Sequence, residues 1–207
     1  MRSLLLPILL AVAISASTVF AQQTEKTPPA QFVQSAPPAA MPQPGPEMQR
    51  LVKTFVGTWT LSETYEPSER MPSGGAGREG QQIWRAGPGG LSLIEEYRSK
   101  SPSGEISGLS VTWWDDKAQG YRALWCVNTN PGGCVAMANL AKWEGDQFVL
   151  GDEFERNGKK FTFREVVSDI TPTSFTQTLY QGESGGELKR MMTIRATKVA
   201  SGKRRQS

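Results

Sequence analysis

Acid–base chemistry in this chain has to rest on carboxylates, lysines or tyrosines, because the sequence contains no histidine. That absence removes Ser-His-Asp and Cys-His nucleophile systems, histidine-ligated zinc and histidine-held haem. Glu95 and Glu165 fall within alternating apolar runs. Two such carboxyls facing each other in a deep pocket would do acid–base work if burial raised one of their pKa values. Adjacent Glu95 and Glu96 do not form that pair, since neighbours on a strand point to opposite faces. The chain shows no nucleophile elbow, phosphate loop or metal motif. Catalysis is therefore the less favoured reading, with no catalytic residue assigned and no cofactor or metal expected.

Cys126 and Cys134 are the only cysteines, and they flank Val127-Asn128-Thr129-Asn130-Pro131-Gly132-Gly133, a run of turn residues. Two thiols without histidine do not complete a metal site. If the flanking strands pair, the cysteines face each other and a structural disulfide is expected, contributing about 2.5 kcal/mol for so short a loop.

These residues need a scaffold. Pro46-Glu47-Met48 opens a short helix, with proline in its first turn and an acid at the positive end of its dipole. Met48, Leu51, Val52 and Phe55 recur at helical spacing, and Gly57 stops the pattern. Period-two segments come next, starting near Thr58, Gln81, Leu91, Ile106, Tyr121, Val135, Gln147, Lys160, Ser174 and Glu187, about ten strands. Short turns join them, such as Pro88-Gly89-Gly90 and Asn157-Gly158, and no long crossover helices intervene. The sequence predicts an all-β fold: an up-and-down antiparallel barrel of about ten strands with a short N-terminal helix. The helix is expected to pack against one opening of the barrel. Closure removes the edge strands that an open sheet would have to protect.

Alternation assigns the inward face. One strand carries Trp59, Leu61, Glu63 and Tyr65, and another Leu91, Leu93, Glu95 and Tyr97. Further inward sets are Leu109, Val111 and Trp113; Tyr121, Ala123 and Trp125; Phe148, Leu150, Asp152 and Phe154. The last are Phe161, Phe163, Glu165 and Val167, then Leu188, Arg190, Met192 and Ile194. Charges in these series are either rim positions or a polar centre within the lumen. In the second case Glu95, Asp152 or Glu165 must pair with Arg190 or be neutral. The expected ligand-binding set is Leu93, Tyr97, Trp113 and Trp125 as an apolar wall, with Glu95 and Arg190 as polar anchors. Phe161 and Phe163 are expected as plain core.

The opening Gly57-Thr58-Trp59 resembles the start of the calycin barrels, the lipocalins and fatty-acid-binding proteins among them. The pattern from Leu51 to Val199 is similar to a calycin-like bacterial family, domain of unknown function 1579. Its matching points are Gly57-Thr58-Trp59, Gly89-Gly90, the turn from Trp114 to Tyr121, Phe175 to Tyr180, and Met191 to Arg195. The resemblance implies a barrel and no established activity. It also implies a basic residue of the last strand packed over Trp59, with Arg195 and Arg190 as candidates and Gly57, Trp59 and Arg195 as structural residues. A nitrobindin-like haem barrel has the same strand count but needs a histidine.

The chain ends differ from this core. Residues 1–21 read as a signal peptide, with Arg2, an apolar run from Leu4 to Ile14 and Val19-Phe20-Ala21 before the cleavage point. Residues 22–46 are a Pro/Ala/Gln-rich linker holding half of the 14 prolines. Residues 47–199 are the barrel, and 200–207 are a basic tail with Lys203, Arg204 and Arg205. The signal pattern makes this an exported protein, periplasmic or secreted. The net charge of +3 leaves no clustered basic groove for nucleic acid, and no stable membrane span is expected after signal cleavage. Three functions stay open: a barrel binding a small, largely apolar or amphipathic molecule, a small hydrolase or isomerase using interior carboxylates, and a filled barrel with a structural or surface role.

Overall fold

Alternation of apolar and polar residues, with turn residues at each reversal, makes most of the described residues strand. The computed structural model describes residues 40–68 and 71–200. The expected signal peptide, most of the linker and residues 201–207 of the tail lie outside the described residues.

Helix α1 (Pro46–Phe55) comes first. Strands β1 (Gly57–Tyr65), β2 (Gly75–Ala76), β3 (Arg78–Ala86), β4 (Leu93–Ser101) and β5 (Gly104–Asp115) come after it. A 3-10 turn, Pro88–Gly90, joins β3 to β4. Next are β6 (Gly120–Val127), β7 (Cys134–Ala136), β8 (Lys142–Glu144) and β9 (Gln147–Arg156). The chain closes with β10 (Lys159–Ser168), β11 (Ser174–Glu183) and β12 (Lys189–Lys198).

All strands pair antiparallel in one curled sheet, in the order β7-β6-β5-β4-β3-β1-β12-β11-β10-β9-β8, with β2 on β1. The all-β meander with one N-terminal helix is as expected. The two additional strands are the two-residue β2 and the three-residue β8. The ends of the path meet through one stretch, residues 134–144, whose first part pairs with β6 and whose last part pairs with β9. Within it Ala141 exchanges two backbone hydrogen bonds with Tyr121, at 2.8 and 2.9 Å. Those bonds bring the β6 edge to the β9 edge and satisfy groups that would otherwise be exposed.

Helix α1 buries Met48, Leu51 and Phe55 against one end of the sheet. Phe55 stacks on Trp84 and meets Phe148 and Phe175 edge-on. The Tyr121 hydroxyl donates to Glu47 O at 2.9 Å, and Arg50 lies over the Trp143 ring. This end is closed by a core that includes Trp59, Leu93, Tyr121, Val167 and Ala196. A second cluster, Tyr97, Met192 and Ile194, lies further along the strands.

Trp59 is fully buried, and its indole donates to Phe55 O at 2.8 Å. The basic group over its ring is Lys198, 4.9 Å from the centroid, which corrects the expectation of Arg195 or Arg190. Register explains the difference. Lys198 pairs directly with Trp59, whereas Arg195 pairs with Ser62 and is exposed. Gly57 opens β1 at a φ of 146°, and a side chain there would run into Lys198. Cys126 and Cys134 are register partners of β6 and β7 and form the expected disulfide.

Candidate functional site

The curled sheet encloses a cavity of about 710 Å³. Leu51, Phe55 and Trp84 form its floor beneath α1. Val135 and Phe154 line it while remaining 47% and 38% exposed, so they mark its opening. The interior is thus open, with room for a small molecule.

Along the strands a polar belt separates the two apolar clusters. On β4, Glu95 sits between Leu93 of the closed-end core and Tyr97 of the second cluster. On β11, Gln177 sits between Phe175 of that core and Leu179 beside the second cluster. Gln82 on β3, Ser110 on β5 and Glu165 on β10 complete the belt.

The belt is one hydrogen-bonded chain. Ser110 Oγ donates to Glu95 Oε2 at 2.8 Å, and Gln82 Nε2 donates to Glu95 Oε1 at 2.7 Å. Gln82 Nε2 also donates to Gln177 Oε1 at 3.0 Å, and Gln177 Nε2 donates to Glu165 Oε1 at 2.8 Å. Strands β1 and β12 lie between β3 and β11 in the sheet, so the glutamine contact crosses the lumen. The Oε1 atom of Gln82 and the Nε1 atom of Trp84 are buried without partners.

Burial disfavours the charged form of both acids. Glu95 is pushed up to about 8, first by burial and then by repulsion from Glu165, against the opposing bonds from Ser110 and Gln82. Glu165 is pushed up to about 7 by burial, opposed by its bond from Gln177. Glu63, on β1, is a third buried acid. It accepts from Tyr97 at 2.8 Å, Tyr65 at 3.1 Å and Ser99. Burial, then the Glu63 charge, pushes Tyr65 up to about 12, and the same two causes raise Tyr97.

Of the expected binding set, Leu93, Glu95, Tyr97 and Trp125 line the cavity. Phe148, Leu150, Asp152, Phe154, Glu165 and Val167 line it too, as does Phe163, which alternation had assigned to plain core. Two expectations are corrected. Trp113 is 37% exposed and outside the lining, because β5 turns Ile106, Ser110 and Thr112 inward. The apolar residues Leu109, Val111 and Trp113 misled the assignment, since the other face of that strand is the one that meets the lumen. Arg190 is also outside. A bulge between Leu179 and Tyr180 pairs Leu179 with Met192 and Tyr180 with Arg190, skipping Met191. The skipped residue reverses the alternation, and Arg190 instead donates to Glu66 at 2.7 Å on the surface.

Sequence reasoning passed over Gln82, Ser110, Thr112 and Gln177. The available signal was a glutamine at the inward position of an apolar alternation, as in Phe175, Gln177, Leu179. Gly108 was also missed. It lies on the inner face of β5, where a Cβ would fall 2.3 Å from the Trp125 ring, so glycine alone lets that indole lie against the wall.

No family model matches the chain, and neither does any curated protein. Solved structures similar to it include a redesigned β-barrel, mFAP0, bound to DFHBI, at 14% identity and a TM-score of 0.37, covering 69% of this chain and 97% of that one. An S-type phycobiliprotein lyase, CPES from Guillardia theta, is similar at 10% identity and a TM-score of 0.47, covering 74% and 93%.

Proposed function

We propose that this protein binds a small, largely apolar molecule in its lumen. The observation that carries the reading is the cavity of about 710 Å³, walled by aromatic and aliphatic side chains around one polar belt. Such a site buries the body of a ligand and orients it by a few polar groups. Occupation should raise the melting temperature, because the ligand binds only the folded state. It should also alter the fluorescence of Trp84 and Trp125, which line the wall. Titration with N-phenyl-1-naphthylamine, a neutral apolar probe, tests this. Saturable binding that Ala123→Trp abolishes supports the reading, and no binding by wild type overturns it.

Kinship with the calycin-like family of unknown function 1579 is part of the same proposal. It is supported by Gly57-Thr58-Trp59 and by the meander closed at one end by a helix. Export after cleavage at Ala21 belongs with it, and the Cys126–Cys134 disulfide suits an oxidising compartment.

Glu95 and Glu165 favour a second reading. Two carboxyls on one cavity, held at about 8 and about 7, suit a small isomerase or hydrolase in which one gives a proton and the other takes one. Carbon-bound hydrogen exchange of a lumen ligand in D2O, lost in Glu165→Gln, would favour the enzyme. Binding without exchange or hydrolysis favours the binder.

A further inference from the structure

The lumen brings acids together without supplying a cation. Glu95, Glu165, Asp152 and Glu155 all line it, and among the described lining residues there is no lysine or arginine. Lys198, the inward-facing lysine of β12, stands over Trp59 at the closed end, outside the lining. Arg190 is held on the surface by Glu66. The groups facing the Glu95–Glu165 pair are therefore acidic or neutral. Tyr65 and Tyr97 line the cavity and hold Glu63 outside its lining, while on β9 Asp152 lines it and Glu155 lines it from an exposed position beside Phe154.

A second feature points the same way. Gln82 is 2% exposed, lines the cavity and leaves Oε1 without a donor. Its nitrogen serves two acceptors, Glu95 Oε1 and Gln177 Oε1, which leaves the oxygen to a further donor. An unfilled buried acceptor is costly, and a bound donor would recover that cost.

We propose that the ligand is an organic cation, an amine carried on an apolar body, with its ammonium received by Glu95, Glu165 and Gln82 Oε1. This rests on the lumen-binding reading above and names its ligand class. An ammonium offers three donors and no acceptor, which matches an acceptor-rich centre. Its charge relieves the repulsion between the two carboxylates, and charge-assisted bonds replace the hydration it loses. Trp125 and Trp84 line the same cavity and offer aromatic surface to the apolar body. A fatty acid, the natural partner of an arginine anchor, would instead meet like charge.

The ammonium competes with protons for the pair. Glu165 and Glu95 lose their protons near 7 and 8, so amine binding should strengthen as pH rises through that range while the amine itself stays charged. Binding should release protons near pH 7.

The test compares 1-naphthalenemethylamine, 1-naphthalenemethanol and 1-naphthaleneacetate by titration calorimetry on the intact folded protein at pH 6 and pH 8. The expected order is amine, alcohol, acid. The amine-to-alcohol affinity ratio should rise about tenfold between the two pH values, the change expected when Glu165, at about 7, must give up its proton to receive the ammonium. Proton release should appear as a dependence of the amine's heat on the buffer's ionisation enthalpy. Glu165→Gln should reduce the ratio at pH 8. An alcohol that binds as well as the amine at both pH values overturns the cation proposal and leaves the lumen-binding reading standing. Failure of all three compounds and of the neutral probe overturns both.

Discussion

Gln82 Nε2 donates to Gln177 Oε1 at 3.0 Å across the lumen, although two strands separate their own strands in the sheet. Through that bond Glu95 on one wall and Glu165 on the other belong to a single network. Among the described residues neither acid has a cationic partner, so each is best accommodated neutral, and the centre of the barrel responds to pH.

The raised carboxyls make stability fall as pH rises. In the unfolded chain these glutamates lose their protons near 4.3, whereas the folded state keeps them to about 7 and 8. Between those limits the native state binds more protons than the unfolded one, so stability is highest at the acid end and declines toward pH 8. Melting temperatures recorded from pH 5 to pH 8 should show this decline, with a shallower slope for Glu165→Gln. Equal slopes in the two proteins would contradict the pKa assignment.

Replacing Glu63 by alanine should destabilise the fold by about 3 kcal/mol, because the hydroxyls of Tyr97, Tyr65 and Ser99 lose their shared acceptor in a buried setting. Urea denaturation measures it. A loss within about 0.5 kcal/mol, the range of ordinary surface substitutions, would mean that water replaces the carboxylate freely.

Lys198 and Arg195 should behave differently. Truncating Lys198 to alanine removes the cation over Trp59, at a cost of about 0.5–2 kcal/mol. Arg195→Ala, on the exposed face, should stay within about 0.5 kcal/mol of wild type. The reverse order in thermal melts would restore Arg195 as the structural residue.

Gly108→Ala should push the Trp125 ring from its resting place, since the added Cβ would lie 2.3 Å from it. The ring has the lumen to move into, so overpacking should cost about 1–3 kcal/mol and the near-ultraviolet dichroism of tryptophan should change. Binding of the neutral apolar probe should weaken with it. An unchanged spectrum would show that the backbone of β5 yields instead.

Reduction of the Cys126–Cys134 bond, or Cys126→Ser with Cys134→Ser, should lower stability by about 2–3 kcal/mol by the chain-entropy argument. Melting with and without reductant reads it directly. An equal melting temperature under both conditions would show that strand pairing alone holds the hairpin.

The sequence by itself determined the class of fold, the helix and nearly every strand. Those features rest on local physics: period-two alternation, helical spacing of Met48, Leu51 and Phe55, and turn residues whose backbone preferences act over a few positions. It also brought Cys126 to Cys134, because a hairpin is a local object. Inward faces were legible where the apolar series and the lumen agree, as for Leu93, Glu95 and Tyr97. On β5 both faces carry apolar residues, and only the closure of the sheet decided that Ser110 and Thr112 face in and Trp113 faces out. On β12 one skipped residue, Met191, turned Arg190 from lumen to surface, and a bulge is set by the partner strand rather than by the strand's own sequence. The belt itself was beyond local reading. Gln82 and Gln177 stand 95 residues apart, and only the curvature that wraps β3 around to β11 puts their amides within hydrogen-bond reach.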